Sequence, residues 1–401
     1  VAQRRSAIVE GDLVAVSLPP GEPWPDIVRT VWDAGAAVLP VDAKLARAAT
    51  DRVLRTARPT VHATDENGPG RWRRTHDGLP VDAGVALVVA TSGTAGSPKL
   101  VEVDRTAIEA AVSASAEALE ATSADGWLCC LPPAHIAGML VLLRGLLLDA
   151  PVEVHPSFEA SRFGAARDVA FTSVVPTMLV RLLDSDVDLS SFRAILVGGA
   201  HLPTDLRERA ERRGASIVET YGLTESCGGV VYDGLPLRGV RVRTDAAGRI
   251  ELGGATLMRG YRFDPDATAE AFTDDGWLRT RDAGTIDEAG RLRVAGRIDD
   301  AITTGGEKVW PRDVEAAIAP HPKIAEVLVV GRPDAEWGER LVAVVVPREP
   351  ADPPTLEEVR SLAAAAVGRH LVPRELEVVE RLPRTVLGKA HRLHRLAVRP
   401  E

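Results

Sequence analysis

The sequence predicts an α/β protein: a large layered α/β N-terminal domain that includes a small β-barrel-like part, then a small α+β C-terminal domain, divided as residues 1–298 and 299–401. Three observations predict it. From Leu128 to Glu219 short apolar runs alternate with helical patterns, the signature of α/β layers whose ligands gather beyond the carboxyl ends of the strands. Around Val240 the apolar period switches to two, which reads as hairpins or a barrel edge. Past Arg297-Ile298-Asp299 the remaining chain mixes two helical patterns with three strands in a compact α+β run.

Taken in order, Val85 to Ala90 is an unbroken apolar run that reads as a buried strand. It empties into Thr91-Ser92-Gly93-Thr94-Ala95-Gly96-Ser97-Pro98-Lys99. Glycine permits close approach and positive φ, so backbone N–H groups and hydroxyls can converge there on phosphate oxygens. The spacing is not the Walker pattern, and alone such a loop is commonly no more than a turn. Leu128–Leu131 reads as a strand and Ile136–Leu148 as a mostly apolar helix. Val152–His155 and Phe171–Val175 are strands, and a helix follows Pro176. Arg193–Val197 is a strand ending in Gly198-Gly199, followed by a helix over Pro203–Arg213 and a strand over Ser216–Glu219. Val240–Thr244 and Gly248–Leu252 form one hairpin; Thr285–Val294 forms another, turning at Glu288–Gly290. The C-terminal part reads as a helix over Pro311–Ile318, strands over Ile324–Val330 and Leu341–Val346, a helix near Leu356–Val367 and a strand near Leu376–Val379.

Composition narrows the function classes. A chain of 401 residues can bury more than one core, and 45% hydrophobic with 26% charged residues is ordinary for a globular protein. A net charge of −9 gives no electrostatic footprint for nucleic acid or an anionic membrane. The longest apolar stretch, Met139–Leu148, is short and holds Arg144, and Arg4 and Arg5 lead into broken polarity where a signal peptide would be apolar. Cys129, Cys130 and Cys227 show no metal spacing; they suit a reducing cytoplasm and read as small core or pocket fillers. The expectation is a cytoplasmic protein without nucleic-acid or membrane partners, its oligomeric state left open. Only five of 48 basic residues are lysine, and Lys99, Lys308 and Lys389 are read in glycine-bearing loops. An ammonium is a compact point charge where arginine is a planar fork.

Four further segments complete the pattern: Gly198-Gly199-Ala200; Glu219-Thr220-Tyr221-Gly222-Leu223-Thr224-Glu225-Ser226; Trp277–Asp282 with Gly296–Asp300 and Thr304-Gly305-Gly306-Glu307-Lys308; and Leu382–Lys389. In this order and spacing the chain resembles the adenylate-forming superfamily of acyl-CoA synthetases, stand-alone adenylation domains and luciferases, over residues 85 to 395. The resemblance implies an enzyme that joins a carboxylate to the α-phosphate of ATP, expels pyrophosphate, then lets a thiol such as CoA attack the acyl-adenylate. Carboxylate attack on a polyphosphate meets charge repulsion, so positioning and charge neutralisation dominate.

The resemblance also assigns roles. Thr91, Ser92, Gly93, Thr94, Gly96 and Lys99 wrap the β- and γ-phosphates. Thr224 contacts the α-phosphate, and Glu225 holds Mg²⁺, a hard cation that wants oxygen ligands. Gly199, Ala200, Tyr221 and Gly222 enclose the adenine; Asp282 receives the ribose hydroxyls with Arg297 alongside; Lys389 reaches the charge developing at the α-phosphate. Read alone, Glu225 and Asp282 are equally solvated loop carboxylates and Lys389 a surface lysine. The small domain is implied to be mobile, rotating between half-reactions about Asp299 (otherwise a turn cap) and presenting Gly305 and Gly306 to the thiol's tunnel. Two departures stand out: Ala95 replaces a customary hydroxyl residue and Leu100 a customary glycine. A missing hydroxyl costs roughly 1–3 kcal/mol where its acceptor stays unsatisfied, so affinity for the nucleotide, not reaction class, is in question.

For the acid, Pro132–Met139 sits where the family lines its acyl pocket, giving His135 as a catalytic and substrate-binding candidate. Arg144 lies nine residues on, able to share a face with His135. A buried arginine is expensive unless it meets an anion, and a carboxylate is the obvious one; His135 as packing and Arg144 as an exposed helix charge are the plain alternatives. Thr177, Cys227 and Gly228 are pocket candidates by position. The short length, the His135–Met139 segment and Trp24–Asp42 resemble the actinobacterial form of o-succinylbenzoate–CoA ligase of menaquinone biosynthesis, whose substrate carries two carboxylates. Other aryl- or fatty-acyl-CoA ligases, enzymes that load a carrier protein, and a catalytically silent nucleotide-binding module remain as rivals. No fused carrier domain is expected after Lys389.

Overall fold

The computed structural model describes residues 8–64, 72–91, 98–368 and 371–382. The backbone falls into two compact units. One comprises residues 1–243, 251–279 and 287–292; the other comprises 244–250, 280–286 and 293–401.

In the first unit one seven-stranded sheet runs, edge to edge, Gly260–Tyr261, Lys99–Asp104, Val85–Thr91, Ala37–Pro40, Leu13–Ser17, Val61–Thr64 and Trp72–Arg74. Its middle is parallel: Leu13 lies beside Ala37, Val14 beside Val61, and Val38 beside Leu87. The remaining three pairings are antiparallel, two toward the Gly260–Tyr261 edge and one at the Trp72–Arg74 edge. The three central strands, Val85–Thr91, Ala37–Pro40 and Leu13–Ser17, are apolar almost throughout and buried on both faces, as parallel strands covered on each side must be.

A second seven-stranded sheet has the order Leu235–Pro236, Gly228–Tyr232, Ile217–Leu223, Ala194–Val197, Val169–Val174, Gly126–Cys129, Val152–Val154. Its last five strands are mutually parallel and its first three antiparallel. The helix Ile136–Leu148 packs on helix Pro23–Asp33, on helix Arg105–Leu119 and on strands of this sheet. Contact on several sides explains why its run from Gly138 to Gly145 is wholly buried and apolar apart from Arg144.

Four strands, Val240–Thr244, Arg249–Gly254, Leu278–Ile286 and Leu292–Arg297, form a further sheet in that order. The second unit is built on a five-stranded sheet in which Ile324–Asp334 pairs antiparallel with Gly338–Pro347, and Glu375–Val378 adds in parallel. Helices Pro311–Ile318 and Leu356–Val367 pack together over it. The first begins with proline at N1; the second carries a capping box, Thr355 accepting from the Glu358 N–H and Glu358 accepting from Thr355. The mixed α/β class, with a large N-terminal and a smaller C-terminal domain, is as the sequence predicts. Among the described residues no helix is long and apolar enough to cross a membrane.

Candidate functional site

Thr91 and Lys99 face each other across the first rungs of an antiparallel pair, Thr91 Oγ1 donating to the Lys99 carbonyl at 3.3 Å. Lys99 therefore opens a strand; it does not sit within the loop. Lys308 likewise lies in a strand, Glu307–Val309. Lys99 Nζ stands 4.4 Å above the centroid of Tyr261. Leu100 is buried in the sheet's core, packed with the apolar residues of the neighbouring strands. Ser92, Gly93, Thr94 and Gly96 lie outside the described residues.

In the second sheet the segment read as a loop after Glu219 is mostly strand. Ile217–Leu223 is parallel to Ala194–Val197 on one side and antiparallel to Gly228–Tyr232 on the other, so Tyr221 and Gly222 are strand residues. Gly222 makes the tight return possible: a Cβ there would lie 1.8 Å from the Gly228 carbonyl oxygen. Thr224–Ser226 then forms one 3₁₀ turn. Buried Ser226 locks it, its Oγ accepting from the Leu223 N–H at 2.9 Å and lying 3.0 Å from the Gly228 carbonyl. Cys227 and Gly228 follow at φ 57° and 86°. Glu225 is half-buried; its carboxylate accepts from the Tyr261 hydroxyl at 2.8 Å and its carbonyl from the Met258 N–H at 2.8 Å. Gly199 and Ala200 lie exposed just past the parallel strand Ala194–Val197, Gly199 at φ 75°.

His135 is the exposed N-cap of helix Ile136–Leu148, and Thr177 is exposed at the start of helix Pro176–Leu183. Arg144 is buried: Nε donates to Ser115 Oγ at 3.0 Å, Nη2 to Tyr232 Oη at 3.2 Å, and the guanidinium lies 5.1 Å from the Trp127 ring. The exposed-charge alternative is thus removed. Hydroxyls solvate the cation without neutralising it. Burial pushes the thiols of Cys130 and Cys227 up to about 12 and that of Cys129 higher still, although Arg144 pulls Cys227 the other way. All three thiols are expected to stay unmodified by iodoacetamide in the folded protein at about pH 8 and to react once it is denatured, because the thiolate is the nucleophile. A native-state adduct on mass spectrometry would show that a thiol is open to solvent.

In the second unit Asp282 is buried on its strand. Its N–H donates to Thr280 Oγ1 at 3.1 Å, and Arg297 Nε approaches its carboxylate at 3.5 Å. Asp299 lies in a single 3₁₀ turn and pairs with Arg281 at 2.9 Å. Gly305 and Gly306, at φ 58° and 84°, turn the hairpin between Ile302–Thr304 and Glu307–Val309. The Gly305 N–H donates to the Trp337 main-chain carbonyl at 3.0 Å, and the Arg374 guanidinium lies over the Trp337 indole at 3.6 Å. Lys389 lies outside the described residues.

The profile of the AMP-binding enzyme family matches residues 71–262, and that of the AMP-binding enzyme C-terminal domain matches residues 313–389. A protein named probable 2-succinylbenzoate–CoA ligase, from Mycobacterium tuberculosis, is 39% identical over 359 residues, covering 86% of this chain and 92% of its own. The chain belongs to the AMP-binding enzyme family. Among solved structures this AMP-binding enzyme superposes on o-succinylbenzoate CoA synthetase from Bacillus subtilis bound to the acyl-adenylate OSB-AMP. That match has TM-score 0.83 and 25% identity, over 97% of this chain and 90% of the other. The same synthetase with ATP and magnesium matches with TM-score 0.83 and 26% identity, over 97% and 90%.

Within the first unit the fold gathers Lys99 and Glu225 of this AMP-binding enzyme around one residue that sequence reading missed, Tyr261. The only signal for it was the Gly260-Tyr261 pair, whose strand of two residues is too short to show a period. Ser115 and Tyr232, which hold Arg144, were equally invisible, being 117 positions apart.

Proposed function

We propose that this chain is an ATP-dependent acid–CoA ligase that converts o-succinylbenzoate to o-succinylbenzoyl-CoA in menaquinone biosynthesis. The carrying observation is its near end-to-end likeness to 2-succinylbenzoate–CoA ligase, supported by candidate groups at the carboxyl ends of parallel strands, where α/β sheets bind ligands. In the first half-reaction the acid's carboxylate oxygen bonds to the α-phosphorus of ATP and pyrophosphate leaves. In the second, the CoA sulfur attacks the acyl carbon, AMP leaves and the thiol proton is released.

Each group has a task in this reading. Thr91, Ser92, Gly93, Thr94, Gly96 and Lys99 receive the β- and γ-phosphates, Thr224 the α-phosphate, and Lys389 the charge that grows there. Gly199, Ala200, Tyr221 and Gly222 receive the adenine. Buried Asp282, held by Arg297, receives the ribose. Asp299 serves as hinge, and Gly305 with Gly306 borders the thiol's path. Glu225 suits magnesium arriving on ATP: Mg²⁺ takes one or two carboxylates plus substrate phosphates and keeps several waters. No cluster of three His, Cys, Asp or Glu side chains that could cage a metal exists among the described residues. The metal supplies neutralisation of phosphate charge. His135, Thr177, Cys227 and Gly228 border the acid, and Arg144, which makes no ion pair among the described residues, offers it a positive charge. A cytoplasmic setting is part of the proposal, consistent with three free thiols.

The test is acid-dependent exchange of pyrophosphate into ATP, followed by thioester formation with CoA. o-Succinylbenzoate is expected to support both; exchange only with other acids would reassign the substrate, and none with any acid would end the ligase reading. Arg144→Ala is expected to raise KM for o-succinylbenzoate about 10–100-fold, the range for losing a hydrogen bond to a charged group, and to leave a simple fatty acid nearly unaffected. Unchanged selectivity would confine Arg144 to holding Ser115 and Tyr232.

A further inference from the structure

We infer that Tyr261 is a positioning residue that holds the Lys99 ammonium and the Glu225 carboxylate apart, each ready for the nucleotide; this rests on the phosphate and magnesium roles proposed for them above. The strand Lys99–Asp104 touches the turn Thr224–Ser226, so an ammonium and a carboxylate of opposite charge are brought to neighbouring elements. Left alone they would be expected to pair, and the pair would consume both the phosphate donor and the metal ligand. Among the described residues no ion pair joins them. Tyr261 stands between: its hydroxyl donates to one Glu225 oxygen at 2.8 Å, and its ring face carries Lys99 Nζ at 4.4 Å.

The chemistry of each contact suits the task. A neutral hydroxyl orients the carboxylate without cancelling its charge and occupies one of its two oxygens. A cation–π contact holds the ammonium only weakly where solvent reaches it, so a polyphosphate can draw it away. Tyr261 is itself fixed. Its N–H donates to Thr268 Oγ1 at 2.8 Å, and its strand pairs with Val101 and Glu102. The residues around it are tied down on both sides, Met258 N–H to the Glu225 carbonyl, Arg259 N–H to the Glu102 carbonyl and Arg262 N–H to the Leu100 carbonyl. One short segment thereby sets the distance between two motifs more than a hundred positions apart.

The experiment compares wild type, Tyr261→Phe and Tyr261→Leu in acid-dependent pyrophosphate exchange, varying free Mg²⁺ and ATP separately, with melting temperature and thioester formation from supplied acyl-adenylate recorded for each. Tyr261→Phe keeps the ring and its packing and loses only the hydroxyl. It is expected to raise the half-saturating Mg²⁺ concentration about tenfold while leaving KM for ATP within about twofold, as for loss of one hydrogen bond to a charged group. Tyr261→Leu is expected to raise KM for ATP as well, by about tenfold, because Lys99 then pairs with Glu225; the return of KM in the phenylalanine variant is the rescue that separates the ring's role from the hydroxyl's. Phenylalanine behaving as wild type toward Mg²⁺, or both variants losing kcat and melting temperature together with unchanged half-saturation, overturns the inference and leaves the ligase reading standing. Wild type without exchange for any acid overturns both.

Discussion

Lys389→Ala is expected to abolish formation of the acyl-adenylate and to spare conversion of supplied acyl-adenylate to the thioester. Negative charge concentrates around the α-phosphate only as the carboxylate attacks and pyrophosphate departs. A fixed ammonium there stabilises the transition state more than the ground state, which is what raises kcat. Losing one such preorganised donor costs on the order of 10²–10³-fold. The second half-reaction expels AMP from an acyl carbon and makes no comparable demand. Pyrophosphate exchange and single-turnover thioester formation measure the two steps separately; an equal fall in both would mean that Lys389 serves the fold or the acid pocket and not adenylation.

Arg262→Leu is expected to destabilise the first unit by about 3–5 kcal/mol, the usual cost of leaving a buried charge without its partner. The Arg262 guanidinium donates to Glu102 at 2.9 Å and to the carbonyls of Ala57, Leu79 and Pro80 at 3.0, 2.7 and 3.1 Å. Both charged side chains are buried. Removing arginine strands three carbonyls and a carboxylate, whereas Arg262→Met with Glu102→Leu removes both charges and is expected to recover much of the loss. Urea unfolding of the three proteins reads this directly: a single variant within about 0.5 kcal/mol of wild type, the range of ordinary surface changes, would show that water replaces the guanidinium.

How far the sequence alone carries the fold depends on what each segment buries. Helices Ile136–Leu148, Pro311–Ile318 and Leu356–Val367 begin and end where periodicity, proline and capping residues put them. The parallel strands from Gly126 to Val197 were legible as apolar runs between helices. Leu13–Ser17 and Ala37–Pro40 were not assigned, because strands of four or five residues buried on both faces show no alternation. Tyr221 and Gly222 looked like loop residues because glycine and threonine signal turns locally; their strand character comes from antiparallel pairing with Gly228–Tyr232. At the candidate site, Glu225 and Asp282 were readable as motif residues, and Lys99 as one of few lysines. The phenol between Lys99 and Glu225, and the two hydroxyls around Arg144, depend on contacts between distant segments that no local pattern records.

The contact between Gly222 and Gly228 has a consequence for variation. Where two stretches of main chain all but touch, every one of the nineteen chiral residues introduces a carbon into space already taken by oxygen. A saturation library at codon 222, sorted for growth dependent on this activity, should therefore collapse to a single surviving genotype, while the neighbouring codon for Tyr221 retains several.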